Sequence, residues 1–313
     1  MIWLREIRSD INFNSCDNGQ FVTMSSVQIM STVQDRAIYN VKLSFCSAIF
    51  SISSVPWIYQ DYCYSLSCII LRSFIIMCTI LGLAKMMFQP RNFEVIWRAT
   101  VIGTSFSVGL SLFFRFDHLW LFSTYLCFLS FFHFSEYIAT GLTNPANLQN
   151  ESFLLNHSLQ YWLAAIFSWM EHFLELYFFP SIKISSVLFL IGIVLCVTGE
   201  AIRKTAMFHA GKSFSHIVQN TKKSDHELVT TGIFSMMRHP SYVGWFIWSI
   251  ATQILLANPL CFLAYGYVSW TFFNERIYVE EFSLLQFFGE AYAQYQRRVP
   301  VGIPFIKGYV PDQ

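Results

Sequence analysis

The residues best suited to chemistry lie in one short stretch, Arg238-His-Pro-Ser-Tyr242, which leads from a polar, basic connector into an apolar run. Pro240 suits the first position of a helix, because its missing N–H is not needed there and its φ is already helical. His239 then falls at the helix cap, and Tyr242 lies on the first turn. A helix N-terminus presents unpaired N–H groups and the positive end of the helix dipole, so this stretch predicts an anion site. The same residue types also anchor ordinary membrane helices at the interface, and both interpretations stay open here.

A second group of charged residues follows the last apolar run, in the stretch Asn274-Glu-Arg-Ile-Tyr-Val-Glu-Glu281. If the helix continues unbroken beyond residue 273, Arg276 and Glu280 lie one turn apart on one face. The simpler interpretation is a solvated ion pair outside the membrane. The functional one is a cationic and an anionic recognition group beside one pocket, which would lie at the same end as the polar connector at 208–229.

The elements that position these residues follow from composition. The chain has 313 residues, of which 54% are hydrophobic and only 12% are charged, whereas about a quarter of the residues in soluble domains are charged. Phe occurs 33 times, and the mean hydropathy is +0.45. This composition predicts an all-α, polytopic integral membrane protein. The net charge of +1 predicts no nucleic-acid partner.

Eight apolar segments are expected to form about eight transmembrane helices with a cytosolic pocket built from connectors and the C-terminal region. The last two segments are short and fit either two spans or a re-entrant hairpin. We divide the chain into a polar N-terminal tail (1–40), a six-helix transmembrane bundle (41–207) and a third region (208–313). The third region contains a connector, a helical hairpin at 240–273 and a cytosolic C-terminal segment. The apolar segments are 41–58, 66–88, 95–114, 119–140, 153–179, 184–207, 242–257 and 259–273.

The distribution of basic residues predicts the orientation. All of the 20 Lys and Arg residues except Arg72, Arg115 and Lys183 fall on one side of this layout. Because cytoplasmic loops are enriched in Lys and Arg, both termini and the 203–240 connector are predicted to be cytosolic. The sequons at Asn150 and Asn156 would then be cytosolic and unglycosylated.

Ionisable residues inside apolar segments are costly, and so they are candidates for function. His133 and Glu136 have a spacing found in metal-binding helix bundles. However, they are expected near the cytosolic end, whereas Glu171 lies about 27 Å down the next helix, near the opposite face. We therefore expect pairing or solvation at these residues, and no metal site.

Two further groups of residues in apolar segments are interpreted as structural. Glu200 has Arg203 and Lys204 on its own face at i+3 and i+4, which predicts a solvated ion pair. The eight Cys residues lie mostly singly in apolar stretches and are expected to act as small buried apolar residues.

The chain resembles isoprenylcysteine carboxyl methyltransferases in several motifs, over about residues 118–308. Arg-His-Pro-x-Tyr alone is similar to elements of membrane phospholipid N-methyltransferases and sterol reductases. Combined with the tandem Glu280-Glu281 and the terminal Arg-Val-Pro block, the resemblance is strong. The motifs that carry it are residues 228–245, Glu280-Glu281, Phe288-Gly-Glu-x-Tyr-x-x-Tyr-x-x-Arg-Val-Pro300, Asn156-His-Ser158 and Glu200-Ala-Ile-Arg-Lys-Thr-Ala-Met207.

This resemblance implies a multi-pass enzyme of the endoplasmic reticulum membrane, with 208–313 as its catalytic region. It would move a methyl group from S-adenosylmethionine to the C-terminal carboxylate of a prenylated cysteine in CaaX proteins, such as small GTPases. Arg276 would hold the substrate carboxylate, and Arg276 and Glu280 would form the catalytic pair. The cofactor-binding residues implied by the resemblance are Gln219, His226, Glu227, Leu228, Val229, Phe234, His239, Pro240, Ser241, Tyr242 and Glu280.

The chemistry of this reaction suits the residues. A C-terminal carboxylate has a pKa of about 3.5 and is already ionised at neutral pH, so no general base is needed. Three other interpretations remain open. A phospholipid N-methyltransferase would need a headgroup amine as its nucleophile. A transporter should show polar residues near mid-membrane on several helices, a pattern that the sequence does not clearly contain, and a non-catalytic scaffold is the remaining case.

Overall fold

The computed structural model describes residues 26–53, 65–155, 159–219, 221–222 and 227–310. Across these ranges the regular structure is entirely helical, which confirms the predicted all-α class. Short 3-10 turns join the α-helices. The α-helices of the described chain are α1 (Ser26–Ser53), α2 (Leu66–Met87), α3 (Pro90–Arg115), α4 (Trp120–Thr143), α5 (Leu159–Phe178), α6 (Ser186–Ala210), α7 (Pro240–Leu255), α8 (Pro259–Phe288) and α9 (Glu290–Arg298).

Two helices extend well beyond the apolar segments that predicted them. The helix α1 begins at Ser26, inside the segment predicted as a polar tail, and α8 continues to Phe288 rather than stopping at 273. A search for apolar runs detects only the part of a helix that faces lipid or core. It does not detect turns that continue on charged residues. Among the described residues, three helices are long and apolar enough to cross a membrane by length and composition: Leu66–Met87, Pro90–Arg115 and Ser186–Ser213.

Proline and glycine set the ends of the helices that carry the charged motifs. Pro240 and Pro259 occupy the first turns of α7 and α8, where a missing N–H costs no hydrogen bond. Gly289 ends α8 with a φ of +53°, a conformation that glycine adopts without strain. The chain then turns directly into α9, whose side chains Tyr292 and Tyr295 are buried.

Helices α6 and α7 pack closely at two glycines, Gly199 and Gly244. A Cβ atom on Gly244 would lie 2.5 Å from the main-chain oxygen of Gly199 and 2.6 Å from the nitrogen of Arg203. The same close approach holds at Gly199, where a Cβ would lie 2.7 Å from the nitrogen of Trp248. These glycines bring the two backbones together, so that Arg203 of α6 lies beside the start of α7.

Aromatic packing links α4 to the same pair of helices. The rings of Phe132 and Trp248 stack with centroids 4.1 Å apart, and Phe132 is fully buried. Leu255 and Cys196 belong to the same buried cluster. This core fixes α4, α6 and α7 relative to one another.

A separate polar cluster holds the turn between α7 and α8. The Glu171 carboxylate accepts hydrogen bonds from the main-chain nitrogens of Leu260 and Cys261, both at 2.7 Å. Lys183 pairs with Glu175 at 2.6 Å and also donates to main-chain oxygens at the end of α7. The pairing expected for Glu171 is confirmed, and it serves to cap a helix.

The cysteines only partly match the expectation of burial. Cys196 and Cys261 are buried, but Cys46 and Cys78 are exposed, and Cys68 is disulfide-bonded. The exposed cysteines lie on α1 and α2, which have faces covered by few neighbouring helices. An apolar surrounding sequence therefore did not imply a buried position for every cysteine.

Candidate active site

The start of α7 has the predicted geometry. His239 is the N-cap residue and Pro240 the first helical residue. The main-chain oxygen of His239 accepts the N–H groups of Tyr242 and Val243, both at 3.0 Å. The rings of His239 and Tyr242 lie nearly parallel, with an interplanar angle of 6° and centroids 5.6 Å apart. The first turn therefore directs a phenol toward α8.

That phenol lies between the two charged residues singled out on α8. The Tyr242 hydroxyl donates to Oε2 of Glu280, and the Nε of Arg276 donates to the same hydroxyl oxygen at 2.9 Å. Because α8 runs unbroken from Pro259 to Phe288, Arg276 and Glu280 share one face, as predicted. The start of α7 and this turn of α8 form a single site, which we call the Tyr242 cluster (His239, Tyr242, Arg276 and Glu280).

The side chains of Glu280 and Glu281 differ in exposure and in the residues that they contact. The Glu280 side chain is 28% exposed and its Oε1 lies 3.8 Å from Nδ1 of His239. Glu281 is fully buried, and its Oε1 is bound by Nε of Arg238 at 2.7 Å and Nε2 of His239 at 3.0 Å. Burial alone would raise the pKa of the Glu281 carboxyl, but the hydrogen bonds and charges of His239 and Arg238 outweigh burial and lower it. Glu280 therefore lies partly exposed in the Tyr242 cluster, whereas Glu281 is buried in contacts with Arg238 and His239.

Glu281 also holds the C-terminal segment against α8. Its Oε2 accepts from Nε2 of Gln296 and from the main-chain nitrogen of Tyr309, both at 3.0 Å. At Gly308, which has a φ of +76°, a Cβ atom would lie 1.8 Å from this oxygen. Arg238 also helps to hold the C-terminal segment in place, because its main-chain N–H donates to the main-chain oxygen of Pro300 at 2.8 Å.

A second buried ion cluster lies on the other side of the α7 start. The Glu136 carboxylate of α4 is fully buried and is bound by Nε and Nη2 of Arg203 at 2.6 Å and 2.7 Å. Lys204 also binds it, and Nε2 of His216 lies 2.8 Å away. Arg203 in turn donates from Nη1 to the hydroxyl of Ser241 at 2.8 Å. The pairing expected for Glu136 is confirmed.

The ion pair predicted for Glu200 is confirmed with Lys204 but not with Arg203, and it is buried rather than solvated. Glu200 is only 8% exposed and binds the hydroxyl of Ser135 at 2.5 Å and Lys204 at 3.1 Å. Arg203 turns instead to Glu136. The i, i+3 rule describes pairs on an isolated helix. Here Arg203 binds Glu136 on another helix through two nitrogens, and not Glu200 on its own helix.

The remaining residues implied by the resemblance are distributed unevenly. Gln219 binds within its own connector, to the hydroxyl of Ser215 at 2.9 Å, and Glu227 is exposed. Phe234 contributes its main-chain oxygen to the Tyr295 hydroxyl at 2.6 Å. Leu228 and Val229 are half-buried and Pro240 is buried, whereas His226 lies outside the described residues. The structure thus joins only part of the expected cofactor set in the Tyr242 cluster.

Sequence reasoning did not single out His216, which contacts this cluster. The main-chain oxygen of His216 accepts a hydrogen bond from Nη2 of Arg276. His216 lies in the polar connector noted in the sequence, but no spacing distinguishes it from the connector's other polar residues. Contacts between a connector and two distant helices leave no periodic signal.

Comparison with known proteins places these features in one family. The model of the isoprenylcysteine carboxyl methyltransferase (ICMT) family matches residues 190–286, which include the α7 start, Arg276 and Glu280. The protein-S-isoprenylcysteine O-methyltransferase of Xenopus laevis is 50% identical over 227 residues, covering 72% of this chain and 79% of that protein. The human protein of the same name is 47% identical over 231 residues, covering 74% of this chain and 81% of that protein.

A solved structure gives the same result at the level of fold. It is described as the eukaryotic intramembrane Ras methyltransferase ICMT, and it covers 87% of this chain and 99% of its own, with a TM-score of 0.83 and 40% identity. The shared fold confirms a membrane enzyme built from helices. From these matches, the chain belongs to the isoprenylcysteine carboxyl methyltransferase family.

Proposed function

We propose that this protein transfers a methyl group from S-adenosylmethionine to the C-terminal carboxylate of a prenylated cysteine, in CaaX proteins such as small GTPases. The observation that supports this most directly is the Tyr242 cluster, in which a cation and a carboxylate flank one phenol. Relatives named protein-S-isoprenylcysteine O-methyltransferase support the same reaction. No feature of the described residues favours a phospholipid headgroup amine as the acceptor.

Arg276 is the group that we assign to the acceptor carboxylate. A guanidinium has five N–H donors in a rigid fork, and two of its nitrogens are engaged by Tyr242 and His216. The remaining donors suit a carboxylate, which binds arginine in a bidentate way. The acceptor is already ionised at neutral pH, so Arg276 has to align an oxygen rather than remove a proton.

The residues around Glu280 fit the chemistry of the methyl donor. S-adenosylmethionine supplies an activated methyl group, and it carries an ammonium, a carboxylate and a sulfonium. The partly exposed Glu280 would attract the ammonium, and the start of α7 would favour the carboxylate. The Tyr242 ring would face the sulfonium by cation–π contact. The rings of Trp245 and Tyr242 each lie near a guanidinium, Arg203 at 4.8 Å and Arg276 at 5.5 Å, so these contacts do not favour one ring over the other.

The membrane setting completes the proposal. We infer about eight spans, residence in the endoplasmic reticulum membrane and cytosolic termini, on the basis of the apolar segments and the one-sided distribution of Lys and Arg. A farnesyl or geranylgeranyl chain dissolves in the bilayer. An acceptor anchored in this way presents its carboxylate at the cytosolic rim, where the polar connector and the Tyr242 cluster are expected to lie.

One assay tests this function. Membranes containing the full chain are incubated with methyl-labelled S-adenosylmethionine and N-acetyl-S-farnesylcysteine. We expect label on the acceptor that alkali releases as methanol, because the product is a methyl ester. Alkali-stable label in extracted phospholipid, with none on the acceptor, would instead indicate a phospholipid N-methyltransferase.

A further inference from the structure

The connector after α6 is fastened to α4 at two places. Asn144, at the end of α4, donates from Nδ2 to the main-chain oxygens of Lys212 at 2.8 Å and Phe214 at 2.9 Å. Two residues further on, the His216 ring reaches Oε2 of Glu136 at 2.8 Å. A carboxylate can only accept, so the imidazole Nε2 donates in this contact. The connector is therefore held in a defined position above α4.

Glu136 is itself a fixed acceptor. The bidentate contact with Arg203 and complete burial of the carboxylate leave it little freedom to rotate. Arg203 is held in turn by the hydroxyl of Ser241 at 2.8 Å, at the start of α7. The position of the His216 ring is thus set by α4, α6 and α7 together.

The main chain of His216 contacts Arg276, the residue that we assign to the acceptor carboxylate. The His216 main-chain oxygen accepts from Nη2 of Arg276, while Nε of Arg276 binds Tyr242 at 2.9 Å. An arginine side chain has several rotatable bonds, and holding it in one orientation costs conformational entropy. Two acceptors at fixed places reduce that cost before the substrate arrives.

We propose that Glu136 and His216 are positioning residues for the acceptor carboxylate. Glu136 anchors the His216 ring, and the His216 main-chain oxygen then orients the Arg276 guanidinium. Neither residue is assigned a contact with the acceptor. The inference rests on the proposed function, in which Arg276 binds that carboxylate, and it predicts an effect on ligands that carry a carboxylate and not on ligands that lack it.

Two ligands separate this role from a merely structural one. N-acetyl-S-farnesylcysteine carries the carboxylate, and N-acetyl-S-farnesylcysteamine has the same amide and tail without it. Dissociation constants for both are measured on the purified full chain in lipid nanodiscs. His216→Ala is the main variant, because the His216 side chain is 16% exposed and its removal leaves the Glu136–Arg203 pair intact.

For His216→Ala, we expect the carboxylated ligand to bind about tenfold more weakly and the other ligand to change by less than about twofold, since one charged contact is loosened. The KM for the acceptor should rise by the same factor as its dissociation constant, with little change in the KM for S-adenosylmethionine. His216→Gln keeps a side-chain N–H donor for Glu136 and should recover most of the affinity.

Glu136→Gln and its matched control Glu171→Gln complete the test. Both replace a buried carboxylate, but Glu171 caps α8 at the turn remote from the α7 start. Glu136→Gln should reproduce the selective loss of His216→Ala and add nothing to it in the double variant. Glu171→Gln should lower the yield of folded protein and leave both affinities unchanged.

Three results would overturn the inference. His216→Ala could weaken both ligands equally, or it could weaken neither, and either outcome would remove His216 from the positioning of Arg276. A wild-type protein that forms no methyl ester on the acceptor would overturn the proposed function and this inference with it. That third result is read from the wild type alone, so the two failures are distinguishable.

Discussion

Tyr242 contacts two side chains of opposite charge, and the proposed reaction assigns one to the acceptor and the other to the methyl donor. The Tyr242 hydroxyl accepts from Arg276 and donates to Glu280. The two groups are therefore held close to each other through the phenol, and no direct salt bridge joins them among the described residues. A guanidinium neutralised by a carboxylate would bind an incoming carboxylate poorly. The phenol thus keeps Arg276 available while fixing its direction.

The first prediction concerns Arg276 itself. Arg276→Ala should lower kcat/KM for the acceptor at least about hundredfold, because a charged hydrogen-bonding partner is lost. The measurement is ester formation by equal amounts of purified, folded protein. Arg297→Ala is the matched control, since the Arg297 side chain is 71% exposed on α9. Wild-type turnover in Arg276→Ala would remove this residue from the mechanism.

Glu280→Ala gives a second prediction at the other side of the phenol. We expect binding of S-adenosylmethionine to weaken about tenfold or more, because the proposed partner of its ammonium is removed. Equilibrium binding of the labelled cofactor measures this directly. Glu275→Ala provides the control, because Glu275 is exposed on the same helix. Equal affinities in the wild type and Glu280→Ala would separate Glu280 from the cofactor.

The third prediction follows from Glu281. Its pKa is lower in the folded chain than the usual 4.5, so the ionised form stabilises the fold above that pH and the stabilisation is lost as pH falls below it. The melting temperature in detergent should therefore be lower at a pH below 4.5 than at pH 7. In Glu281→Gln it should already be low at pH 7, because Arg238 loses a buried partner.

In Glu281→Gln the acid-dependent drop should also be smaller, since the variant has no carboxyl to protonate at this position. Glu290→Gln serves as the control, because the Glu290 side chain is 65% exposed. A Glu281→Gln protein with the same melting temperatures as the wild type at both pH values would contradict this role.

At the scale of elements, α6 and α7 function as one unit. Their backbones meet at Gly199 and Gly244, and this approach places Arg203 where it can bind both Glu136 and Ser241. A side chain at either glycine has to displace main-chain atoms of the facing helix. The arrangement of the site therefore depends on two residues that have no side chain.

The fourth prediction tests this packing. Gly244→Val should destabilise the protein by about 3 kcal/mol or more, because overpacking moves backbone as well as side chains. Thermal unfolding in detergent and the yield of folded protein measure the effect. Gly266→Ala is the control on α8, because the nearest atom to a Cβ there is 4.0 Å away. Equal stability of the two variants would contradict the close contact.

How far the sequence predicts these elements depends on the signal that each one leaves. Apolar runs indicated every helix from α1 to α8, because lipid and core both demand apolar faces. They did not predict that α1 begins at Ser26, because its first turns have no uniform apolar run. The face shared by Arg276 and Glu280 was predictable from helical periodicity. The Arg203–Glu136 pair was not, because it joins helices that are distant in sequence.

At the scale of the whole molecule, polar clusters lie at both ends of α7. The Tyr242 cluster and the buried ion cluster of Glu136, Arg203, Lys204 and His216 lie at its start. The contacts of Glu171 and Lys183 hold its end. A helix of 16 residues separates them by about 24 Å, which approaches the thickness of a bilayer core. We therefore expect the site to face the cytosol and the α7–α8 turn to face the lumen.

The fifth prediction tests this orientation. In a background without the exposed Cys46 and Cys78, a cysteine at Glu151 should react with a membrane-impermeant maleimide in intact microsomes. A cysteine at Ser181 should react only after the membrane is permeabilised. Both positions are exposed, so access to the reagent is decided by the side of the membrane. The opposite pattern would reverse the predicted topology.

The most direct measurement is a cryo-electron microscopy structure of the full chain with S-adenosylhomocysteine and N-acetyl-S-farnesylcysteine bound together. We predict that the acceptor carboxylate lies within about 3 Å of the Arg276 guanidinium, and that the cofactor product contacts Glu280 and the start of α7. Density for either ligand at another face of the molecule, away from Tyr242, would contradict the account.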